Sequence, residues 1–265
     1  MSDYLLRFAG IGRLYGVTAL ETFRQAHVCV VGIGGVGSWA AEALARSGIG
    51  EITLIDLDDV CISNINRQLH ALSDTVGQDK VAVMAQRIKA INPDCIVHQI
   101  EDFIATDNLH QLISPKLDYV IDAIDSIKAK VALLAYCKRN KINVISTGGA
   151  GGQTDPTQIQ IADLTQTIND PLLSKVRNTL RRDYNYSRNP KRRFGIDCVY
   201  STEQLVYPQP DGTVCQQKAA QQNTNGDVSS MRLDCSGGFG AVTVVTASFG
   251  FAAVSKVLKK LSRPN

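Results

Sequence analysis

Short, unbroken apolar blocks recur through the first 150 residues, separated by stretches in which apolar positions return every three or four residues. Residues 27–32 (HVCVVG) are of the first kind and predict a buried strand; 51–56 (EITLID), 96–100, 119–123 and 142–146 read as further strands of the same sheet. Residues 38–47, 77–92 and 127–140 are of the second kind and predict helices, with a shorter one near 106–113. Strict alternation of the two predicts an α/β fold, a Rossmann-like doubly wound sheet that is mostly parallel and covered on both faces.

Past the GGAGG run at 148–152 the alternation loosens. Residues 158–162 and 198–201 read as further strands and 171–182 as a helix. The polar stretch 209–230 reads as a mobile loop. Residues 236–255 are twenty in number and uncharged, and Lys256, Lys259, Lys260 and Arg263 follow. Their length fits a bilayer span. Four glycines and five hydroxyl side chains favour a buried glycine-rich turn and core helix instead, with a membrane-associated tail as the alternative. No fixed-period repeat and no linker interrupts the chain, so 1–265 is expected to be a single domain. It divides into an N-terminal arm (1–25), a nucleotide-binding core (26–150) and an elaborated second half (151–265).

Net charge is +3, but residues 175–193 hold eight basic residues and one acid, a local +7 that leaves −4 for the remainder. Such asymmetry predicts a localised anionic partner. The seven cysteines include no Cys-x-x-Cys pair, which argues against structural zinc and fits reduced thiols in a cytoplasmic protein. The start MSDYLLRFAG has no basic segment before a long apolar run, so no secretory signal is expected.

Gly32, Gly34, Gly35 and Gly37 form Gly-x-Gly-x-x-Gly after a strand and before a helix, where bare backbone amides face a phosphate. Asp56, at the end of the second strand, is placed to accept bonds from ribose hydroxyls. Polar groups then continue through Asp58, Asn64, Arg67 and Gln68 to Lys80. Arg67 and Lys80 supply cations beyond the loop, which a triphosphate needs and a nicotinamide dinucleotide does not. Asp122 and Asp125 follow the fourth strand, on the crevice side, and an aspartate there suits a Mg2+ ligand. ATP is therefore preferred over NAD.

The segments VVGIGGVGSWAAEALARSGIG, LIDLDDVCISNINRQ, VGQDK and DAIDS together resemble the adenylation core of the ubiquitin-activating-like family, which includes bacterial enzymes that adenylate sulfur-carrier proteins. The resemblance implies that Gly34, Asp56, Asn64, Arg67, Lys80 and Asp125 surround ATP and magnesium. It also implies a homodimer in which an N-terminal arginine, matched by Arg13 with Arg7 second, reaches the partner's triphosphate. With TGGAGGQTDPT, the arm RFAGIGRLYG and the basic stretch, the chain from about residue 7 to 263 resembles the tRNA-modifying branch of that family, the bacterial threonylcarbamoyladenosine dehydratases. The implied reaction converts the threonine carboxylate beside the tRNA anticodon to an acyl-adenylate. The ureido nitrogen then closes a ring and expels AMP, needing no enzyme nucleophile.

Lys175, Arg181, Arg182, Lys191, Arg192 and Arg193 are the candidate tRNA contacts, with Tyr184 and Tyr186 as platforms for unpaired bases; a solvated helix face is the plainer reading. Cys198 and Cys235 are weighed as acceptors of an activated acyl group or sulfur, against a reading as incidental thiols. That role would make the chain a sulfur-transfer component docking on a cysteine desulfurase-associated sulfur acceptor protein. An adenylyltransferase acting on a small carrier protein, a dehydrogenase and a non-catalytic membrane-tethered adaptor complete the alternatives.

Overall fold

The computed structural model describes residues 3–216 and 239–263. Its centre is a seven-stranded sheet of β1 (His27–Val31), β2 (Glu51–Ile55), β3 (Ile96–Ile100), β4 (Tyr119–Asp122), β5 (Val144–Thr147), β6 (Ile159–Asp163) and β7 (Asp197–Ser201). The strand order is β3-β2-β1-β4-β5-β7-β6. Every neighbouring pair is parallel except β6, which runs antiparallel to β7 as the edge strand. A small hairpin of β8 (Tyr207–Pro208) and β9 (Val214–Cys215) stands apart.

The blocks forming β1, β2, β4 and β5 are buried on both faces, as central parallel strands require, whereas β3, at the sheet edge, is largely exposed, contrary to the expected covering of the sheet at 96–100. On one face Val28, Val30, Ile52, Leu54 and Ile121 pack against α3 (Gly37–Arg46), α4 (Lys80–Ile91) and α8 (Thr243–Leu261). On the other, Cys29, Val31, Val120 and Cys198 pack against α6 (Ile127–Arg139) and α7 (Pro171–Asp183), with the single turn α5 (Leu109–Leu112) beside them. Each fully buried aliphatic side chain contributes about 1.5–3 kcal/mol.

Several sequence expectations shift. The helix expected from residue 77 starts at Lys80, because Gly77 has φ +85° and bonds Val60, peeling the backbone away. The helix at 106–113 contracts to one turn, and the strand at 142–146 becomes Val144–Thr147. The expected arm is two helices, α1 (Asp3–Tyr15) and α2 (Val17–Gln25), docked through Tyr4, Phe8 and Leu20. Of the loop at 209–230, residues 209–216 carry the second strand of the hairpin; the remainder lies outside the described residues.

Within 236–255 the described residues, from 239 on, follow the core-helix reading. Among the described residues no helix is long and apolar enough to cross a membrane. Val245, Phe249, Ala253 and Val257 of α8 are buried in the main core. A Cβ at Gly250 would lie 2.7 Å from the Val36 carbonyl and 2.9 Å from the Ala40 nitrogen, so this glycine lets α8 approach α3.

Candidate nucleotide site

The turn from β1 into α3 opens at the carboxyl ends of the strands, where ligands of doubly wound sheets sit. Gly32 has φ +85°, and a Cβ at Gly37 would collide with the Gly32 carbonyl, so the turn closes only with glycine at both positions. Around Gly34 the nearest atom to an added Cβ is Gln68 Nε2 at 3.8 Å, while Gly35 lies under Arg67 and Thr246. The loop thus presents backbone, with the predicted Arg67 and Gln68 over it.

Asp56 is tied into this turn: its carboxylate accepts from Ile33 N at 2.6 Å and from Asp58 N at 2.9 Å. Lys80, buried at the start of α4, places Nζ 2.7 Å from Asp58 Oδ2 and 3.8 Å from Asp56 Oδ1. Asp58 is 74% exposed, so the ammonium leans toward a carboxylate that lies mostly in solvent. Asn64 is buried and its Oδ1 accepts from Cys61 N, which fixes the short 3-10 turn ahead of Arg67. Arg67 donates to Ser63 O and Asn66 Oδ1 from a half-buried position. Asp125, past β4, is exposed.

Two buried polar atoms lack partners here: Gln68 Oε1 and His70 Nδ1. Buried acceptors are rarely left unpaired, and a donor-bearing ligand is one remedy. The sequence reading missed His70. Its Nε2 lies 2.6 Å from the Ile33 carbonyl and so donates to it, pinning the glycine turn from below. Burial pushes the His70 pKa below the usual imidazole value; the Ile33 bond opposes that shift, and nearby Lys80 adds to it. The only sequence signal was a histidine inside the buried run after Arg67.

Asp122 is a correction. It is fully buried, and Lys130 Nζ donates to its Oδ2 at 2.8 Å, as does Ser146 Oγ at 2.7 Å. This carboxylate joins β4, β5 and α6 and is not turned to a ligand; Asp125 alone of the pair faces solvent.

Beyond β5, Gly149 N donates to Asp170 Oδ2 at 3.0 Å, and Asp170 also caps α7 through Leu173 N at 2.8 Å. Burial raises the Asp170 pKa. Next to it lies a cavity of about 350 Å³ lined by Thr167, Asn169, Ser174, Arg177 and Tyr207, among others.

The basic stretch divides. Lys175, Lys191, Arg192 and Arg193 are exposed. Arg182 is held by Asp183 at 2.7 and 2.9 Å, and Arg181 lies over the Phe194 ring at 5.6 Å. Tyr186 packs edge-on against Phe194, and Tyr184 rests on the same core, so neither is a free platform for a base. Cys198 is fully buried and its thiol is pushed well above the usual range by burial, which removes it as an acyl or sulfur acceptor. Cys235 lies outside the described residues. Arg13 is exposed on α1, whose Tyr4 and Arg7 bond Gly48 O and Ile91 O at the amino ends of the strands.

A glycine-bounded phosphate turn, a strand-end aspartate and a lysine on the next helix define a nucleotide-binding α/β protein. The chain belongs to the ThiF family, which it matches over residues 9–265. It is 59% identical over 261 residues to the tRNA threonylcarbamoyladenosine dehydratase of Haemophilus influenzae, covering 98% of this chain and 95% of that protein. It is 60% identical over 255 residues to the Escherichia coli enzyme of the same name, covering 96% and 93%. Among solved structures it is similar to that E. coli dehydratase, TcdA, in complex with ATP, with TM-score 0.85, 55% identity and coverage of 98% and 96%.

Proposed function

We propose that the chain is an ATP-dependent tRNA-modifying cyclodehydratase acting on threonylcarbamoyladenosine beside the anticodon. The threonine carboxylate attacks the α-phosphorus of ATP and pyrophosphate departs. The resulting acyl-adenylate is then attacked by the neighbouring ureido group, which closes a ring and releases AMP. One carboxylate oxygen leaves in AMP, so conversion of ATP to AMP and pyrophosphate carries the elements of one water away from the nucleoside.

The observation that carries this reading is the buried Lys80, set beside Asp56 at the glycine turn, whose one hydrogen-bond partner among the described residues is the exposed Asp58. A dinucleotide would leave that cation and Arg67 without a task; a triphosphate uses both. The 60% identity with the E. coli dehydratase over nearly the whole chain supports the choice of tRNA as substrate. Asp125 offers hard oxygen ligands where a magnesium ion would sit, and that ion supplies positive charge against the phosphates. Lys191, Arg192 and Arg193 then serve the tRNA backbone.

Arg13 serves the partner's site in a homodimer. Two sets of exposed apolar side chains would serve such an interface: Leu6, Leu14 and Val17 on the arm helices, and Ile62, Ile65 and Leu72 on the crossover before α4. A symmetric dimer that covers both patches brings α1 of one protomer toward the crevice of its partner. Incubation with threonylcarbamoylated tRNA, ATP and Mg2+ is expected to give a nucleoside lighter by one water, with AMP and pyrophosphate; an unaltered nucleoside refutes the assignment.

A further inference from the structure

At the amino ends of the strands, remote from the crevice, His27 opens β1 and pairs in register with Glu51, the first residue of β2. Thr53, two residues on, pairs with His98 of β3. Side chains alternate along a strand, so all four stand on one face. His98 Nε2 lies 2.7 Å and His27 Nδ1 3.3 Å from the same oxygen, Glu51 Oε1. Thr53 Oγ1 lies 2.8 Å from His27 Nε2, which orients the ring and leaves Nδ1 turned inward.

We propose that His27, Glu51 and His98 form a binding site for a divalent ion of the zinc class. Two imidazoles and a carboxylate are the ligand chemistry such ions take, with a remaining position for water. One ligand atom from each residue lies within 4.8 Å of the others. A tetrahedral ion with bonds of about 2.0–2.2 Å asks for roughly 3.5 Å between them, so the side chains close in by about 1 Å. Their exposures of 21%, 32% and 47% leave room for that movement and for a water ligand. Thr53 plays the part of the outer hydrogen-bond partner that metal-binding histidines ordinarily have. Asp118, whose carboxylate accepts from His27 N at 2.8 Å, adds negative charge close by. The site belongs to the amino ends of the strands, so it is independent of the nucleotide chemistry at their carboxyl ends.

The test uses the full chain stripped of metal, in excess Mg2+ to occupy oxygen-only sites. Zinc is titrated calorimetrically and Co2+ is followed by its visible absorption. One ion per chain is expected, with a dissociation constant on the order of 1 μM and a tetrahedral Co2+ band. His98→Ala, at an exposed edge position, is expected to weaken binding at least about 10-fold and abolish the band, and Thr53→Val to weaken it about 10-fold. Unchanged thermal melting of both variants without metal shows that the fold is intact. Wild-type binding weaker than about 100 μM overturns the proposal. So does zinc binding that survives both His98→Ala and Glu51→Gln, since the ion then sits elsewhere.

Discussion

Two lysine–aspartate pairs occupy neighbouring positions at the carboxyl ends of the sheet, and they do opposite things. Lys130 and Asp122 are completely buried, and the ammonium donates to Asp122 Oδ2, Ser146 Oγ and the Thr147 carbonyl, so every donor is used. Lys80 is nearly as short of solvent, yet among the described residues its ammonium has one hydrogen-bond partner, an aspartate that is mostly in water. A saturated pair holds two strands and a helix together and has nothing left for a ligand. An unsaturated one has donors to spare, which the proposed phosphate role of Lys80 requires. Burial of an ion pair alone therefore does not mark function; the count of unfilled hydrogen-bond positions does.

The contrast is broken most severely at Lys130. Lys130→Met leaves Asp122 charged and unpaired in the core and is expected to destabilise the fold by about 3–5 kcal/mol in urea unfolding, while Lys130→Met with Asp122→Leu recovers much of that loss. At the other pair the loss falls on turnover. Lys80→Ala or Asp125→Ala should lower cyclisation at least about 10²-fold with little change in melting temperature, and near-normal cyclisation by either would remove it from the phosphate site.

Mixing Arg13→Ala with Lys80→Ala protein sharpens the picture further. If Arg13 acts across the dimer, statistical heterodimers each regain one complete site and activity returns to about a quarter of wild type. No recovery would place Arg13 in its own chain's site. Arg192→Ala with Arg193→Ala is expected to flatten the salt dependence of tRNA binding, reducing the log–log slope by about 1 to 2; an unchanged slope moves the tRNA contact elsewhere. The smallest effect is on pH. The His70 pKa is lowered by burial, so its stabilising share is whole above the ordinary imidazole value and declines as pH falls below it. His70→Gln should lessen the decline of urea stability below about pH 6.5.

The basic stretch repeats the same lesson at the surface. Composition marked 175–193 as a single positive patch, but Arg181 is drawn over Phe194 and Tyr186 is packed on the same ring, while Arg182 pairs with Asp183 and still stays exposed. Lys175, Lys191, Arg192 and Arg193 keep their exposure. Charge counting cannot separate the two groups, because a guanidinium over a ring and one in water have the same letter.

Local order did determine a good deal. The glycines at 32, 34, 35 and 37, the strand-end Asp56 and the run to Lys80 follow from chain geometry: a strand turning directly into a helix leaves amides bare, and the next strand ends beside them. Period and length sufficed for the buried strands β1, β2 and β4 and for α7. Tertiary structure alone decided the rest. It reversed β6 at the edge, folded 3–25 into docked helices, took Asp122 out of the crevice, set His70 beneath the turn and gathered His27, Glu51 and His98 from three strands. The physical reason is that hydrogen-bond saturation and burial are properties of neighbours distant along the chain, and a sequence states which polar groups exist without stating which of them find each other.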